Sequence, residues 1–178
     1  MLDLAAWEPL AVPVTGELRD ASREDATAAY RALIDARAAR VAALVALAGH
    51  HGVALEGDDA AERLGAWLVA AAAESGPDAI GSPVYAGLAV DVTLWLGERL
   101  IADSDGALRW ELYTAHKKAT GYQRAVLVGF AGVDDPRYYV DLAHFVASWL
   151  ELALRRRPAR PDFLAVIART TLADARPR

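Results

Sequence analysis

Apolar residues recur at helical spacing through most of this chain, and in one stretch they lie on nearly every side of the helix. Between Val84 and Ile101, the residues Leu88, Val92 and Leu96 form one row, with further apolar side chains beside them. A helix at a protein surface has only one apolar face, so this pattern predicts a largely buried helix. We expect this central helix, residues 88–101 above all, to be the element on which the rest of the chain packs.

A spacing of two replaces the helical repeat directly after the central helix, which predicts a half-buried strand. Its apolar positions are Leu108, Trp110 and Leu112, which alternate with Arg109, Glu111 and Tyr113. A turn over residues 118–121, with Gly121 in the left-handed conformation, predicts a second strand that runs back antiparallel from about Tyr122 to Phe130. Two strands alone are marginally stable in water, and Pro136 to Val140 is a candidate third strand.

Four further helices each have one apolar face, and several begin at a capping signal. Ser22 and Asp59 precede the first two, where a short side chain can accept a hydrogen bond from an unpaired backbone N–H. Asp141 is expected to cap the fourth helix, with Phe145 on its inner face. Pro161 is expected to begin the last helix.

Details inside these helices predict how they pack. The first helix places Tyr30 on its apolar face, and Arg37 and Arg40 on another face. Gly65 and Gly97 lie inside helices, where glycine costs about 1 kcal/mol relative to alanine. Such glycines are often kept for close packing, so a neighbour is expected to approach the backbone at both positions.

The order of elements is helix, helix, helix, strand, strand, helix, helix, which predicts an α+β fold. Five helices are expected to pack around and on one side of a small antiparallel sheet of two or three strands. The whole chain, residues 1–178, is expected to form a single domain. Residues 1–20 are predicted to be an irregular cover that lies on the body through Trp7 and Val14, and residues 173–178 a tail.

Composition excludes several classes of protein. The chain has 178 residues and a net charge of -5, and its pI of about 5.3 disfavours a general nucleic-acid binder, whose affinity would depend on a positive field. The absence of cysteine excludes disulfides, thiol nucleophiles and cysteine zinc sites. The N-terminus lacks a signal-peptide pattern, and the longest apolar run, Leu64 to Ala73, is too short to cross a bilayer. We therefore expect a soluble cytoplasmic protein with no membrane partner. Heavy use of alanine, arginine and glycine is typical of bacteria with GC-rich coding.

A short motif in the central helix and the strand after it resembles a group of known proteins. The helix contains Leu96-Gly97-Glu98-Arg99-Leu100, and Trp110 lies in the strand that follows, before a second apolar strand. This order resembles uncharacterised bacterial α+β proteins in which an Asn-Pro or similar turn leads to the next helix, and Asp135-Pro136 occupies that place here. The resemblance implies a fold. Some proteins of this shape resemble immunity or other partner-binding proteins, and no catalytic residue carries over to this chain.

Two groups of residues have the side chains needed for catalysis or metal binding. Asp91 and Glu98 are seven residues apart and share one helix face, about 10 Å apart along the axis, as two acid–base carboxylates could. A structural role is favoured, with Asp91 near the helix start and Glu98 either paired with a lysine or arginine or accepting backbone N–H bonds from the strand loop. The pair His50-His51, followed by acidic residues 56–59, has ligand types suited to a metal. Adjacent histidines rarely point at one ion, so we predict no metal and no cofactor.

Basic and aromatic residues make the best candidates for binding. The sequence His116-Lys117-Lys118 lies at the predicted hairpin tip, where it could grip a phosphate or an acidic partner together with Tyr122 and Arg124. The segment Arg137-Tyr138-Tyr139 combines the residue types that are enriched where proteins meet. Solvated charges and a sheet edge are the simpler interpretations of these two segments.

Two hypotheses about function remain. The first is a non-enzymatic protein that binds another protein, as an immunity or adaptor factor does, through Lys117, Lys118, Tyr122, Arg124, Arg137, Tyr138 and Tyr139. The second is a small-molecule or phosphoester hydrolase that uses Asp91, Glu98 and the cluster from His116 to Lys118. The hydrolase hypothesis requires Asp91, Glu98 and His116 to converge around one pocket. A homodimer, formed through a helix stripe or an open sheet edge, is a further option.

Overall fold

The computed structural model describes residues 3–4, 7–10 and 17–177 of the chain. Within these residues the α+β fold is confirmed, with five α-helices and one antiparallel sheet of two strands. The helices are α1 (Arg23–His50), α2 (Ala60–Ser75), α3 (Pro83–Asp103), α4 (Leu142–Leu154) and α5 (Phe163–Ala175). The strands are β1 (Arg109–Leu112) and β2 (Ala125–Val128).

Helix α3 is the centre of the fold, as its all-round apolar pattern predicts. It begins at Pro83, after Ser82 accepts a hydrogen bond from the backbone N–H of Tyr85. Most residues from Leu88 to Leu100 are buried. Helix α3 packs against α1, α4 and α5, while α2 packs against α4 and α5. Burial of each large apolar side chain contributes about 1.5–3 kcal/mol, and more residues are buried in α3 than in any other helix of the described ranges.

The two helical glycines let neighbours reach the backbone, and both predictions are confirmed. Gly97 lies under the ring of Trp110, which would overlap any Cβ at this position. A Cβ on Gly65 would lie 2.5 Å from the carbonyl oxygen of Pro161. The β-ribbon therefore rests directly on α3, and the chain entering α5 rests on α2.

The sheet differs from the predicted hairpin in its connection and its third strand. Trp110 pairs with Leu127, but residues 113–124 form a series of turns between the strands. Gly121 has no left-handed backbone; Gln123 does, with φ 61°. Gly121 is required instead for space, because a Cβ there would lie 2.6 Å from the ring of Tyr139. Of the candidate third strand, Val140 alone forms a bridge, to Leu127.

Some predicted helix faces are wrong. In α4 the buried row is Leu142, Val146 and Leu150, while Phe145 is 44% exposed. This row keeps the four-residue spacing of a helix face, and Phe145 falls outside it. Asp59 precedes α2 without capping it through its side chain, since it pairs with Arg63. Helix α5 continues through Ala175, three residues into the predicted tail.

The N-terminal segment lies on the body at Trp7, whose side chain is buried in the core. Val14, the other residue predicted to make this contact, lies outside the described residues. Among the helices of the described ranges, none combines the length and the apolar character needed to cross a membrane.

Candidate functional site

The connection between β1 and β2 presents the predicted basic cluster to solvent. His116, Lys117 and Lys118 are all exposed, and a turn closes behind them where the Ala119 N–H donates to the His116 carbonyl at 3.0 Å. These two lysines are the only lysines in the chain. The tip therefore carries the only two side chains of the protein that end in a primary amine.

The loop before α4 meets this tip and forms a surface depression with it. A hollow of about 380 Å³ is lined by His116 and Ala119 on one side and by Arg137, Tyr138 and Tyr139 on the other. The fold thus places the two predicted binding segments, which are far apart in sequence, next to each other. We call the six residues from both segments the tip surface: His116, Lys117, Lys118, Arg137, Tyr138 and Tyr139.

A second hollow of about 420 Å³ adjoins the first and extends it along the ribbon. The two hollows share the lining residues Tyr113, Asp135, Arg137 and Tyr138. The second one also reaches Arg109 and Glu111 on β1. Together they form a groove that runs from the exposed tip to the outer side of β1.

Both tyrosines of the tip surface are held in place by specific contacts. The ring of Tyr139 lies 4.1 Å from that of Tyr113, and its hydroxyl accepts a hydrogen bond from the Gly121 N–H at 3.2 Å. The ring of Tyr138 meets Phe130 edge to face at 5.0 Å. The Tyr138 hydroxyl donates to Asp174 Oδ2 at 2.9 Å. The groove is therefore preformed, and a partner would not have to order these rings.

Burial shifts two groove tyrosines, which are neutral at physiological pH in any case, further towards their neutral form. Removal from water raises the pKa of Tyr113 above its ordinary value of 10.0, and the neighbouring Tyr139 adds to the rise. Burial also raises the pKa of Tyr138, and the Asp174 carboxylate that accepts its hydrogen bond raises it further. Both groups therefore remain hydroxyl donors across the physiological range.

The charges along the groove are only partly balanced. Arg137 lies 3.6 Å from Asp135 and Arg109 lies 3.4 Å from Glu111, and all four side chains are largely exposed. Surface pairs of this kind contribute about 0–1 kcal/mol and exchange partners easily. Lys117 and Lys118 form no ion pair within the described part of the chain. The tip surface is consequently basic, although the chain as a whole is acidic.

Tyr122 and Arg124 do not line this groove. Tyr122 is half-buried in the same connection, where its N–H donates to the Ala119 carbonyl at 3.1 Å. Arg124 forms an ion pair with the buried Asp141 at 3.3 Å and lines a separate cavity. Of the seven predicted binding residues, Arg137, Tyr138 and Tyr139 line the groove, and Lys117 and Lys118 follow the lining residue His116 at its edge.

Asp91 is a buried structural residue. It lies in the middle of α3, whereas the sequence predicts a position near the helix start. Its side chain is completely inaccessible. Arg40 donates to both carboxylate oxygens, at 2.8 and 2.5 Å, and the Trp7 indole N–H donates at 2.7 Å. Arg40 also donates to the Glu8 carbonyl at 2.8 Å. Arg40 therefore faces α3 instead of solvent, and Asp91 ties α1, α3 and the N-terminal segment together.

Glu98 also has structural partners. It accepts a hydrogen bond from the Trp110 indole N–H at 2.9 Å and lies 3.6 Å from Arg37, so the predicted pairing with a basic residue is confirmed. His116 lies at the ribbon tip, while Asp91 is enclosed in the core. These three residues share no partner and no pocket among the described residues, so the convergence that the hydrolase hypothesis requires is not found.

The two histidines at the end of α1 contact the N-terminal segment. His50 Nε2 lies 3.0 Å from Asp3 Oδ2, and His51 Nε2 lies 2.7 Å from the Asp3 carbonyl. The His51 ring also lies 5.3 Å from that of Trp67. No group of three or more acidic or histidine side chains within the described ranges is arranged to hold a metal ion.

Tyr113 is the main groove residue that sequence reasoning missed. It lies at a polar position of the predicted strand, yet it is 6% exposed because Tyr139 covers it. The alternating pattern marks such a position as solvent-facing, and only the returning loop buries it. The sequence offers one weak signal for this contact. A tyrosine directly follows the strand, and a Tyr-Tyr pair lies downstream that could pack against it.

Comparisons with known proteins leave the site to be interpreted from its geometry. No protein-family model matches the chain, and neither a curated protein nor a solved structure is significantly similar to it. The resemblance carried by residues 96–100 and Trp110 therefore stays a prediction.

Proposed function

We propose that this protein binds another protein through the tip surface, as an immunity or adaptor factor does, and that it acts in the bacterial cytoplasm. The proposal of a binding role rests on one observation. The fold places an exposed basic tip beside an aromatic segment at one end of a preformed groove, and His116 and Tyr139 line that end together. The proposed cellular setting rests on composition and on the absence of cysteine.

The residues of the groove are those that make strong protein contacts. Tyrosine and arginine dominate the energetics of many interfaces, because they combine a large contact area with polar atoms. Tyr138 and Tyr139 are fixed by contacts within the fold, so less conformational entropy is lost when a partner binds. Arg137 is exposed and pairs weakly with Asp135, which leaves it available to a partner.

The charge of the tip surface favours an acidic partner segment. Over the tip surface and the groove together, Lys117, Lys118, Arg109 and Arg137 outnumber the carboxylates of Asp135 and Glu111. Complementary charge speeds association and discriminates against wrong partners. An extended acidic segment with an aromatic or apolar anchor would match both the charge and the length of the groove.

The two unique lysines allow a specific test of this proposal. A carbodiimide joins a lysine amine to a carboxylate that touches it, so in native lysate it should link Lys117 or Lys118 to the acidic partner. The change Lys117→Arg with Lys118→Arg keeps the charge but removes the amines. It should therefore abolish the cross-link while the partner is still recovered by affinity capture. The change Lys117→Glu with Lys118→Glu should abolish both.

A matched control reverses two charges far from the groove. Arg155 and Arg157 are exposed at the end of α4, about 20 Å along this helix from the loop that forms the groove. Their double change to glutamate should leave capture unaffected. Equal recovery of the same proteins by the wild type and by the Lys117→Glu, Lys118→Glu variant would show that the tip surface is not the binding site. Light scattering on the purified protein distinguishes a second copy of the chain from a different partner.

A further inference from the structure

A small cavity separate from the groove is lined by residues of α1, α3 and α4 and by the start of β2. Its volume is about 160 Å³. Leu33, Val90 and Leu94 give it apolar walls, while the small side chains of Ala29 and Ala143 leave the space open. An apolar cavity of about 150 Å³ in a protein interior is large enough to hold benzene. The cavity is therefore the right size for one ring or a short branched chain.

One buried hydroxyl that lines this cavity has no hydrogen-bond partner, and a buried carboxylate oxygen next to a lining residue is held by an ion pair alone. Thr93 lines the cavity and is 4% exposed, and its hydroxyl has no partner among the described residues. Asp141 Oδ2 also lacks a hydrogen bond, and it lies 3.3 Å from Nε of Arg124, another lining residue. No other buried side-chain nitrogen or oxygen in the described part of the chain is unpartnered. Buried polar groups of this kind are rare in native proteins and often mark a functional site.

Arg124 supplies a positive charge at the open side of the cavity. Its side chain is one-third exposed, whereas Thr93 is enclosed. Asp141 Oδ2 lies 3.3 Å from Arg124 Nε, and the terminal guanidinium nitrogens form no hydrogen bond within the described residues. A guanidinium with free terminal donors matches the two oxygens of a carboxylate.

We propose that this cavity binds a small monocarboxylate with a compact apolar body, of the size of benzoate. The apolar part lies among Leu33, Val90 and Leu94, and the carboxylate accepts hydrogen bonds from Arg124 and from the Thr93 hydroxyl. A few polar groups that fix the orientation of a ligand in an otherwise apolar pocket are the usual design of small-molecule sites. This site is separate from the tip surface and does not depend on the function proposed for it.

Titration calorimetry with three related compounds tests the chemical class. Benzoate should bind with a dissociation constant in the millimolar range or below. Benzyl alcohol, which has the ring without the charge, should bind at least about tenfold more weakly, because a hydrogen bond to a charged group is lost. Benzylamine should not bind. In methyl NMR spectra, benzoate should shift the signals of Leu33, Val90, Leu94 and Thr93.

Three variants test the assigned roles. Thr93→Val keeps the shape and removes the hydroxyl, and it should weaken benzoate binding several-fold while leaving benzyl alcohol less affected. Arg124→Lys keeps the charge and loses the paired donors, with an expected loss of about tenfold. Ala143→Leu should fill the cavity and abolish binding. The Lys117→Glu, Lys118→Glu variant is the control and should bind benzoate as the wild type does.

Several results would overturn the proposal. Unshifted methyl signals at millimolar benzoate would mean that the cavity takes up only water. Equal binding of all three ring compounds, or undiminished benzoate binding by Thr93→Val and Arg124→Lys, would show that no carboxylate is recognised there. Should Ala143→Leu fail to fold, the wild-type shift map and the other two variants still decide the question.

Discussion

Arg40 and Trp7 enclose Asp91 at the junction of α1 and α3, whereas Arg137 lies beside Asp135 and two tyrosines at the tip surface. Both places combine arginine, an acid and aromatic rings. At the junction both carboxylate oxygens of Asp91 accept hydrogen bonds and Asp91 is inaccessible. At the tip surface the ion pair of Arg137 with Asp135 is exposed, and the two lysines form no ion pair with any residue that the structure describes. Identical residue types thus hold the fold together in one region and are free to bind in the other.

The largest expected effect is the loss of the buried pair. Asp91→Ala leaves Arg40 partly buried without its carboxylate and removes the acceptor of the Trp7 indole. Breaking a buried pair in this way costs about 3–5 kcal/mol of unfolding free energy. Urea unfolding followed by circular dichroism measures this loss. As control, the same change at the exposed Asp20 should have little effect, and an Asp91→Ala protein as stable as wild type would refute the structural role.

Gly97→Ala probes the contact between α3 and the ribbon that supports the tip surface. The added methyl overlaps the ring of Trp110, and overpacking of this kind costs about 1–3 kcal/mol. Gly49, near the end of α1, has open space where a Cβ would lie. Gly49→Ala should therefore be neutral or stabilising. Thermal melts measure both effects. Melting temperatures lowered equally in Gly97→Ala and Gly49→Ala would contradict the proposed contact.

Alkaline pH should destabilise the groove through its tyrosines. The pKa of Tyr113 and of Tyr138 is raised in the folded protein, so the unfolded chain releases these protons first, near the ordinary value of 10.0. Stability is therefore complete below this pH and falls as the pH rises above it. Unfolding measured at a series of alkaline pH values should show this decline. Tyr113→Phe should make it shallower, whereas no change in slope would indicate that the ring is not buried.

The smallest effect on stability is expected at the tip surface itself. Lys117→Glu with Lys118→Glu changes exposed side chains that have no ion pair within the described part of the chain, so the unfolding free energy should stay within about 0.5 kcal/mol of wild type. Loss of partner binding without loss of stability would sharpen the contrast with Asp91. A large destabilisation would instead give these lysines a structural role.

Much of the fold follows from local patterns in the sequence. The all-round apolar helix, the Ser22 and Asp141 caps and the two close-packed glycines are all found where the sequence predicts them. Phe145 was assigned to the wrong face because α4 is apolar enough to allow two rows, and packing against α2 and α3 selects one of them. Local periodicity cannot make that choice.

The candidate site was predictable only in pieces. Residue types indicate the basic tip and the Arg137 to Tyr139 segment as binding candidates. The sequence does not show that the fold places these two segments next to each other. The sequence places Arg37 and Arg40 on a face of α1 other than the apolar one, and only the tertiary structure shows that Arg40 meets the buried Asp91 on α3. Arg37 also meets a carboxylate of α3, that of Glu98, although its side chain stays 42% exposed. Arg124 was grouped with the tip on the basis of chain proximity, and its ion pair with Asp141 places it at another cavity.

The sequence alone determined that α3 is buried, that a ribbon follows it and where most helices begin. These features depend on spacing and capping within a few residues, which a linear pattern records. Only the tertiary structure decided which charges are structural and which are free, because this depends on the partners that distant segments bring. Asp91 and Asp135 are the same residue type, and the one meets Arg40 and Trp7 in the core while the other meets Arg137 in solvent.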